Sequence, residues 1–167
     1  TKLAAMKLFS DFPDGSRVWI YAADQEVPGH LENNVQEQIK NYTRHWHSHQ
    51  MPLRATGDLL HRHFVVLVVD ETSNAVGGCS LDDSYRFLRA LSDFAGVDFL
   101  SRQYAYFQDA KGLVQCITLE SLREKYRHGE INEKDAFFDT LADTLGSLRR
   151  EWVKPLGSSW LWRYVSA

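Results

Sequence analysis

The chain has 167 residues, of which 44% are hydrophobic and 25% charged, and its formal net charge is −3. These values are typical of one ordinary globular domain that is long enough to bury a core. They argue against a nucleic-acid-binding protein, because phosphate contacts supply most of that affinity and usually require an excess of basic residues.

Membrane and secretory signals are missing from the sequence. The longest apolar run, Phe64–Val69, is far shorter than the roughly 20 residues that a membrane helix needs. The N-terminal residues lack the apolar core of a secretory signal. Cys79 and Cys116 are the only cysteines and are too few for a disulfide framework. We therefore expect a cytoplasmic protein with no membrane span.

The first half of the chain predicts alternating strands and helices. After a lead-in over residues 1–16, residues 17–23 are rich in β-branched and aromatic residues, which predicts a strand. Apolar residues at helical spacing then predict a helix over about 31–49. Two strands follow at about 53–60 and 63–70, with a turn at His61-Arg62. The second of these strands does not alternate and should be central in its sheet, covered on both faces.

The segment after that strand predicts a glycine loop and a capped helix. Ser80 and Asp83 have the spacing of a capping box, which would make Ser80 the N-cap and leave Cys79 just outside the helix. The predicted buried stripe of this helix consists of Leu81, Tyr85, Leu88 and Leu91. Gly96 is the predicted stop.

The second half predicts a hairpin at 103–108 and 113–117 and a short helix from Thr118 to Gly129. Beyond it, residues 132–152 fit either one helix or a strand at 136–139 followed by a shorter helix capped by Thr140 and Asp143. We favour the second, because the adjacent Phe137 and Phe138 cannot share one helix stripe. The tail, residues 159–165, alternates like a strand.

This order of elements predicts an α+β fold, an antiparallel or mixed sheet with helices mainly on one face. Its first six elements match the ferredoxin-like β-α-β-β-α-β pattern. We expect a single domain over residues 1–167, with a core at about 17–117 and a helical extension at about 118–167.

Cys79 is the main candidate for chemistry. A thiol near a helix N-terminus is favoured as thiolate, and His61 or His63 could act as its base. Ser80 and Arg86 could bind an anion at the same helix start, although Asp82 and Asp83 would repel it. The alternative is a structural role, in which Cys79 packs as a small hydrophobic residue.

The remaining candidates are weaker. His45 and His49 have metal-ligand spacing on a helix, but histidines near a helix C-terminus are favourable without metal, so we predict no metal site and no cofactor. Trp160 and Trp162 could form a stacking surface for a ligand, a protein partner or a homodimer. We favour the alternative explanation, in which these residues belong to a terminal strand docked on the core.

Several segments resemble an uncharacterised family of small bacterial proteins, found mainly in Bacteroidetes, whose members often carry the label "ABC transporter ATPase". The similar stretches are Arg17–Tyr21, His63–Leu67, Gly78–Leu88 and Ser159–Arg163, and the resemblance extends from about residue 12 onward. The label implies ATP hydrolysis. The chain lacks the G-x-x-x-x-G-K-[ST] loop that this reaction needs, so we reject an ATPase.

Taken together, the residues predict a binding domain without catalysis, whose ligand is a partner protein or a small molecule. The alternative is a thiol-dependent enzyme with Cys79 as nucleophile.

Overall fold

A computed structural model describes residues 8–167, and these residues form the α+β fold that the sequence predicts. The strands are β1 (Arg17–Ala22), β2 (His47–Ser48), β3 (Met51–Pro52), β4 (Arg54–Leu60), β5 (Phe64–Asp70), β6 (Tyr104–Gln108), β7 (Val114–Thr118), β8 (Ala136–Phe138) and β9 (Val153–Pro155). The helices are α1 (Glu32–His45), α2 (Gly78–Ala95), α3 (Leu119–Arg127), α4 (Leu145–Glu151) and α5 (Leu161–Val165). The first part of the predicted lead-in, residues 1–7, lies outside the described residues.

The main sheet is antiparallel and has the strand order β1-β5-β4. Its middle strand is the predicted central one, and all residues from Phe64 to Val69 are completely buried. The turn before it lies at His61-Arg62, as predicted, and both residues have positive φ angles of 53° and 56°. This conformation matches the right-handed twist of a tight hairpin.

Each face of the main sheet is covered by different elements. Helices α1 and α2 pack on one face, where Ile39 and Leu88 join Leu67 in one apolar cluster. The opposite face is covered by the β6–β7 hairpin, β8 and α4, whose Tyr106 and Leu148 join Phe64 in a second apolar cluster. The all-apolar sequence of β5 is the reason that both faces need cover.

Strands β1, β4 and β5 have the order of the first three strands of a ferredoxin-like sheet. Strand β6, which would be the fourth, does not join them. Strand β6 pairs with β7 in a separate hairpin instead of extending the sheet beside β1. The Tyr106 hydroxyl donates a hydrogen bond to the Ala23 carbonyl at 2.7 Å, and its ring packs against Phe64. The hairpin is thereby fixed across the face of the sheet, and most of the outer edge of β1 stays without a neighbouring strand among residues 8–167.

The predicted capping box at the start of α2 is wrong. The helix begins at Gly78 with Gly77 as N-cap, and no side chain caps it. The Ser80 hydroxyl instead donates to the His47 carbonyl at 2.8 Å, and the Asp83 carboxylate accepts from the Tyr42 hydroxyl. Contacts with β2 and α1 therefore override the local capping pattern, and Cys79 lies inside the first turn of the helix.

The predicted stripe of α2 is only partly correct. Leu88 and Leu91 are buried, whereas Leu81 is half-buried and Tyr85 is 39% exposed. Ser80 and Ser84 take buried positions in that part of the helix, because their hydroxyls bond to nearby carbonyls. The predicted stop is confirmed, since Gly96 has a left-handed φ of 70°.

The ends of the other helices differ from the expected ones in three places. Helix α1 ends at His45, because the chain turns extended at Trp46 to form β2. Thr144, and not Thr140 or Asp143, caps α4 by accepting from the Ser147 amide. The tail is helical and not a strand: the two residues buried in it are Leu161 and Val165, which lie one helical turn apart.

The remaining predictions for the second half agree with the structure. The β6–β7 hairpin, the short helix that starts at Thr118 and the short strand that begins at Ala136 are present, and Thr118 is the N-cap of that helix. Strand β9 pairs with β8 across the intervening helix α4, so the C-terminal extension combines three helices with a small two-stranded antiparallel sheet.

We predict that Gly57→Ala destabilises the protein. A Cβ at this position in β4 would lie 2.9 Å from both the Ile39 side chain and the Val66 carbonyl oxygen. Overpacking of this kind typically costs about 1–3 kcal/mol of unfolding free energy, measurable by urea denaturation. Gly15→Ala is the matched control, because a Cβ there meets nothing within 4 Å. Equal stability of the two variants would contradict the close packing of α1 on β4.

Candidate functional site

The structure does not bring Cys79 together with His61 or His63. Cys79 is exposed in the first turn of α2, beyond the C-terminal end of β5. Both histidines precede the N-terminal end of that strand, and seven residues of strand span roughly 20 Å. The predicted base therefore lies at the wrong end of the sheet.

His63 belongs to the packed interior, whereas His61 is exposed at the turn between β4 and β5 and contacts the core through its ring. The His61 ring lies against Phe138 and Trp152, with centroid distances of 5.5 and 5.6 Å. His63 is 3% exposed, and its Nδ1 lies 3.2 Å from the His61 carbonyl oxygen. Burial lowers the pKa of both histidines, because a charged imidazolium loses its hydration there.

The predicted ligand-binding residues are scattered over the fold. Ser80 uses its hydroxyl to hold β2, and Arg86 is exposed with its guanidinium 3.6 Å from the Asp83 carboxylate. Trp162 packs edge-on against Tyr126 at 5.4 Å in the C-terminal cluster. Trp160 is the one predicted ligand-binding residue that lines the cleft described below.

His45 and His49 do not have the spacing of a metal-ligand pair in the structure. His49 lies beyond the end of the helix with a positive φ of 54°, so the one-turn spacing to His45 is lost. Within residues 8–167, no three side chains of His, Cys, Asp or Glu gather in a metal-binding arrangement.

A cleft of about 520 Å³ runs along the outer edge of β1, and we call it the β1 cleft. All six residues of β1 line it. The other lining residues come from α2, the segment after it, β6, the loop after β8, and the start of α5: Tyr85, Phe99, Leu100, Ser101, Arg102, Tyr104, Tyr106, Thr140, Leu141, Ala142, Asp143 and Trp160.

The floor of the β1 cleft carries main-chain polar groups. The Val18 amide points outward and donates to the Asp143 carbonyl at 3.0 Å, while the Ala23 amide points inward to the His63 carbonyl. Since successive residues of a strand face opposite neighbours, the Val18 carbonyl and both main-chain groups of Ile20 point outward into the cleft. Among the described residues, none bonds to these three groups.

Aromatic side chains form the walls of the β1 cleft. Tyr21 meets Tyr85 edge-to-face with 5.9 Å between ring centroids, on the side of the helices. On the other side, Tyr106 is fixed by its bond to Ala23. Burial raises the pKa of both Tyr21 and Tyr106, so these hydroxyls stay neutral at physiological pH.

Three charged residues line the β1 cleft. Arg17 lies over the Trp19 ring and is 3.5 Å from the Glu71 carboxylate. Arg102 is exposed and donates to the Tyr85 hydroxyl at 3.4 Å. Within residues 8–167, Arg102 and the exposed Asp143 make no ion pair. The cleft thus offers one cation, Arg102, and one carboxylate, Asp143, that form no ion pair among the described residues.

Sequence reasoning missed the β1 cleft because its lining comes from distant segments that share no motif. One signal was available: β1 carries a charge only at its first residue, Arg17. Edge strands are commonly protected by charges along their length. A nearly uncharged strand at the edge of a sheet therefore indicates that another segment or a ligand covers the edge.

Comparisons with family models, with curated proteins and with solved structures found no match to this chain. The resemblance to the Bacteroidetes family therefore stays a prediction. None of the described helices combines the length and the hydropathy needed to cross a membrane.

We predict that the two cysteines react at very different rates with iodoacetamide. Cys79 is exposed, whereas the half-buried Cys116 thiol donates to the Asp24 carbonyl at 3.2 Å and burial raises its pKa. Mass spectrometry at pH 7.5 should show Cys79 labelled roughly tenfold faster, because the thiolate is the reacting species. Cys79→Ser and Cys116→Ser identify each site. Equal labelling rates would contradict the placement of Cys116.

Proposed function

We propose that the protein is a binding domain without catalysis and that its ligand, a partner protein or a small molecule, occupies the β1 cleft. The observation that carries this proposal is the combination of a concave site with aromatic walls and main-chain polar groups at its floor. Ligand sites typically have volumes of about 300–1,000 Å³ and combine apolar lining with a few polar groups. The β1 cleft fits both criteria.

The composition of the β1 cleft favours binding over catalysis. Its lining residues include no cysteine and no histidine, and Asp143 is the only acidic one. Nucleophilic catalysis usually needs a nucleophile beside a base. The exposed Cys79 lies at the start of α2 without either predicted histidine, so the alternative of a thiol-dependent enzyme gains no support from the described geometry.

The cellular compartment, the class of ligand and the family of the protein are part of the same proposal. Two free thiols are consistent with a reducing cytoplasm. The net charge of −3 argues against nucleic acid as the ligand. Membership of the Bacteroidetes family remains part of the proposal on the strength of the stretches quoted above, without the ATP hydrolysis that the family label implies.

We predict that small organic fragments bind in the β1 cleft and that Ser101→Trp blocks them. Screening a library of aromatic carboxylic acids by two-dimensional NMR should shift the amides of Trp19–Tyr21 and the Trp160 indole. Ser101 lines the cleft, so an indole there fills it and should weaken binding roughly tenfold or more.

Ser73→Trp is the matched control, because Ser73 is exposed in the loop after β5 and does not line the cleft. It should bind fragments as the original protein does. Shifts that cluster elsewhere on the surface, or equal weakening by both variants, would contradict the proposed site.

A further inference from the structure

We infer that the occupant of the β1 cleft is an extended peptide segment of a partner protein, which adds to β1 as an extra strand and places an acidic side chain at Arg102. This inference rests on the proposed function and specifies the class of ligand. It starts from the outward-facing groups of Val18 and Ile20, which are the groups that a fourth strand of the sheet would use.

At the start of β1, a segment of the protein itself already pairs with the outer edge of the strand. Residues Arg17 and Thr144 form an isolated antiparallel bridge, with hydrogen bonds from Val18 to Asp143 and from Leu145 to Ser16. The chain before Asp143 then leaves β1 and lines the cleft. The bridge thus ends where the unpaired edge begins, and the edge from Val18 to Ala22 is about 13 Å long at 3.3 Å per residue.

The shape of the site selects a single extended segment over a second copy of this chain. Tyr85 and Phe99 rise on the helix side of β1, and Tyr104 and Trp160 line the opposite side. Strand β1 therefore lies at the floor of a cleft. A second copy carries its own β1 at the floor of the same cleft, so the walls of the two copies would collide before the strands could pair.

The two edges of the main sheet differ in a way that supports this assignment. The opposite edge strand, β4, carries Arg54 and Asp58, and Arg54 forms an ion pair with Asp70 at 2.6 Å. Charges of this kind prevent strand addition. Strand β1 has no charge after Arg17, which leaves its main-chain groups accessible to a partner strand.

Side chains of the cleft set the chemistry of the segment. Alternate residues of an added strand would face the Tyr21–Tyr85 side and the Tyr104 side, and both are aromatic, so apolar residues suit both. Arg102 lies exposed beside Tyr85 and is not ion-paired among residues 8–167. An acidic side chain in the segment would match this charge.

The probe is a displayed library of random linear peptides of about eight residues, a length that covers the free edge of β1. Selection on the whole protein should enrich sequences in which apolar residues alternate and an acidic residue recurs at one position. A synthetic peptide of the best sequence is then methylated at single backbone nitrogens. Methylation at every second position should weaken binding about tenfold or more, and at the intervening positions about twofold or less, because only alternate amides face β1.

Variants of the protein locate the contact. Arg102→Glu should weaken the selected acidic peptide about tenfold, and Arg163→Glu, at an exposed position outside the cleft, should not. Ile20→Pro removes an outward-facing amide and should abolish binding, whereas Ala55→Pro, on the outer side of β4, should not. If a proline variant fails to fold, the methylated peptides and the comparison of Arg102→Glu with Arg163→Glu still test strand addition.

The outcomes separate this inference from the proposed function. If aromatic fragments bind in the β1 cleft and no peptide does, strand addition is overturned and the binding function stands. If neither binds there, both fail. Equal weakening by methylation at all positions also overturns strand addition. A concentration-dependent dimer that Arg102→Glu or Ile20→Pro dissociates would identify a second copy as the occupant and overturn the partner peptide.

Discussion

The burial of β5 on both faces is the constraint on which the rest of the structure depends. Six consecutive residues, Phe64 to Val69, are removed from water, and each buried aliphatic or aromatic side chain contributes about 1.5–3 kcal/mol. A strand of this composition cannot lie at an edge or under an open face. It needs a strand on each side, helices α1 and α2 on one face, and a second apolar layer on the other, which the β6–β7 hairpin, β8 and α4 provide.

Covering the second face determines where the cleft forms. In a ferredoxin-like sheet the fourth strand extends the sheet beside β1. Here the Tyr106 ring packs against Phe64, and its hydroxyl donates a hydrogen bond to the Ala23 carbonyl. The β6–β7 hairpin therefore lies on the face of the sheet and does not pair with the outer edge of β1. The same side chains that complete the core therefore leave the Ile20 main chain without a strand partner among the described residues. Core packing and candidate function are in this way two consequences of one arrangement.

Much of the fold could be predicted from local patterns, whereas the site could not. Periodicity placed β1, β4, β5 and the β6–β7 hairpin, and Gly96 marked the end of α2, because these signals act within a few residues. The Ser80 cap failed because the His47 carbonyl, 33 positions earlier, competes for its hydroxyl. The prediction for the tail failed because its apolar residues also suit a short helix, on which Leu161 and Val165 lie one turn apart and share the buried face. The β1 cleft depends on where β6 packs, and a single sequence carries no local signal for that choice.

The central claim is that the outer edge of β1 is unpaired, and amide hydrogen exchange measured by NMR tests it most directly. The Ile20 amide faces the β1 cleft, while its neighbours Trp19 and Tyr21 face β5. The account predicts that Ile20 exchanges at least about tenfold faster than both neighbours, since an amide bonded in the sheet exchanges only when the strand opens. Equal protection at all three positions would contradict it, because a strand or segment would then already cover this edge.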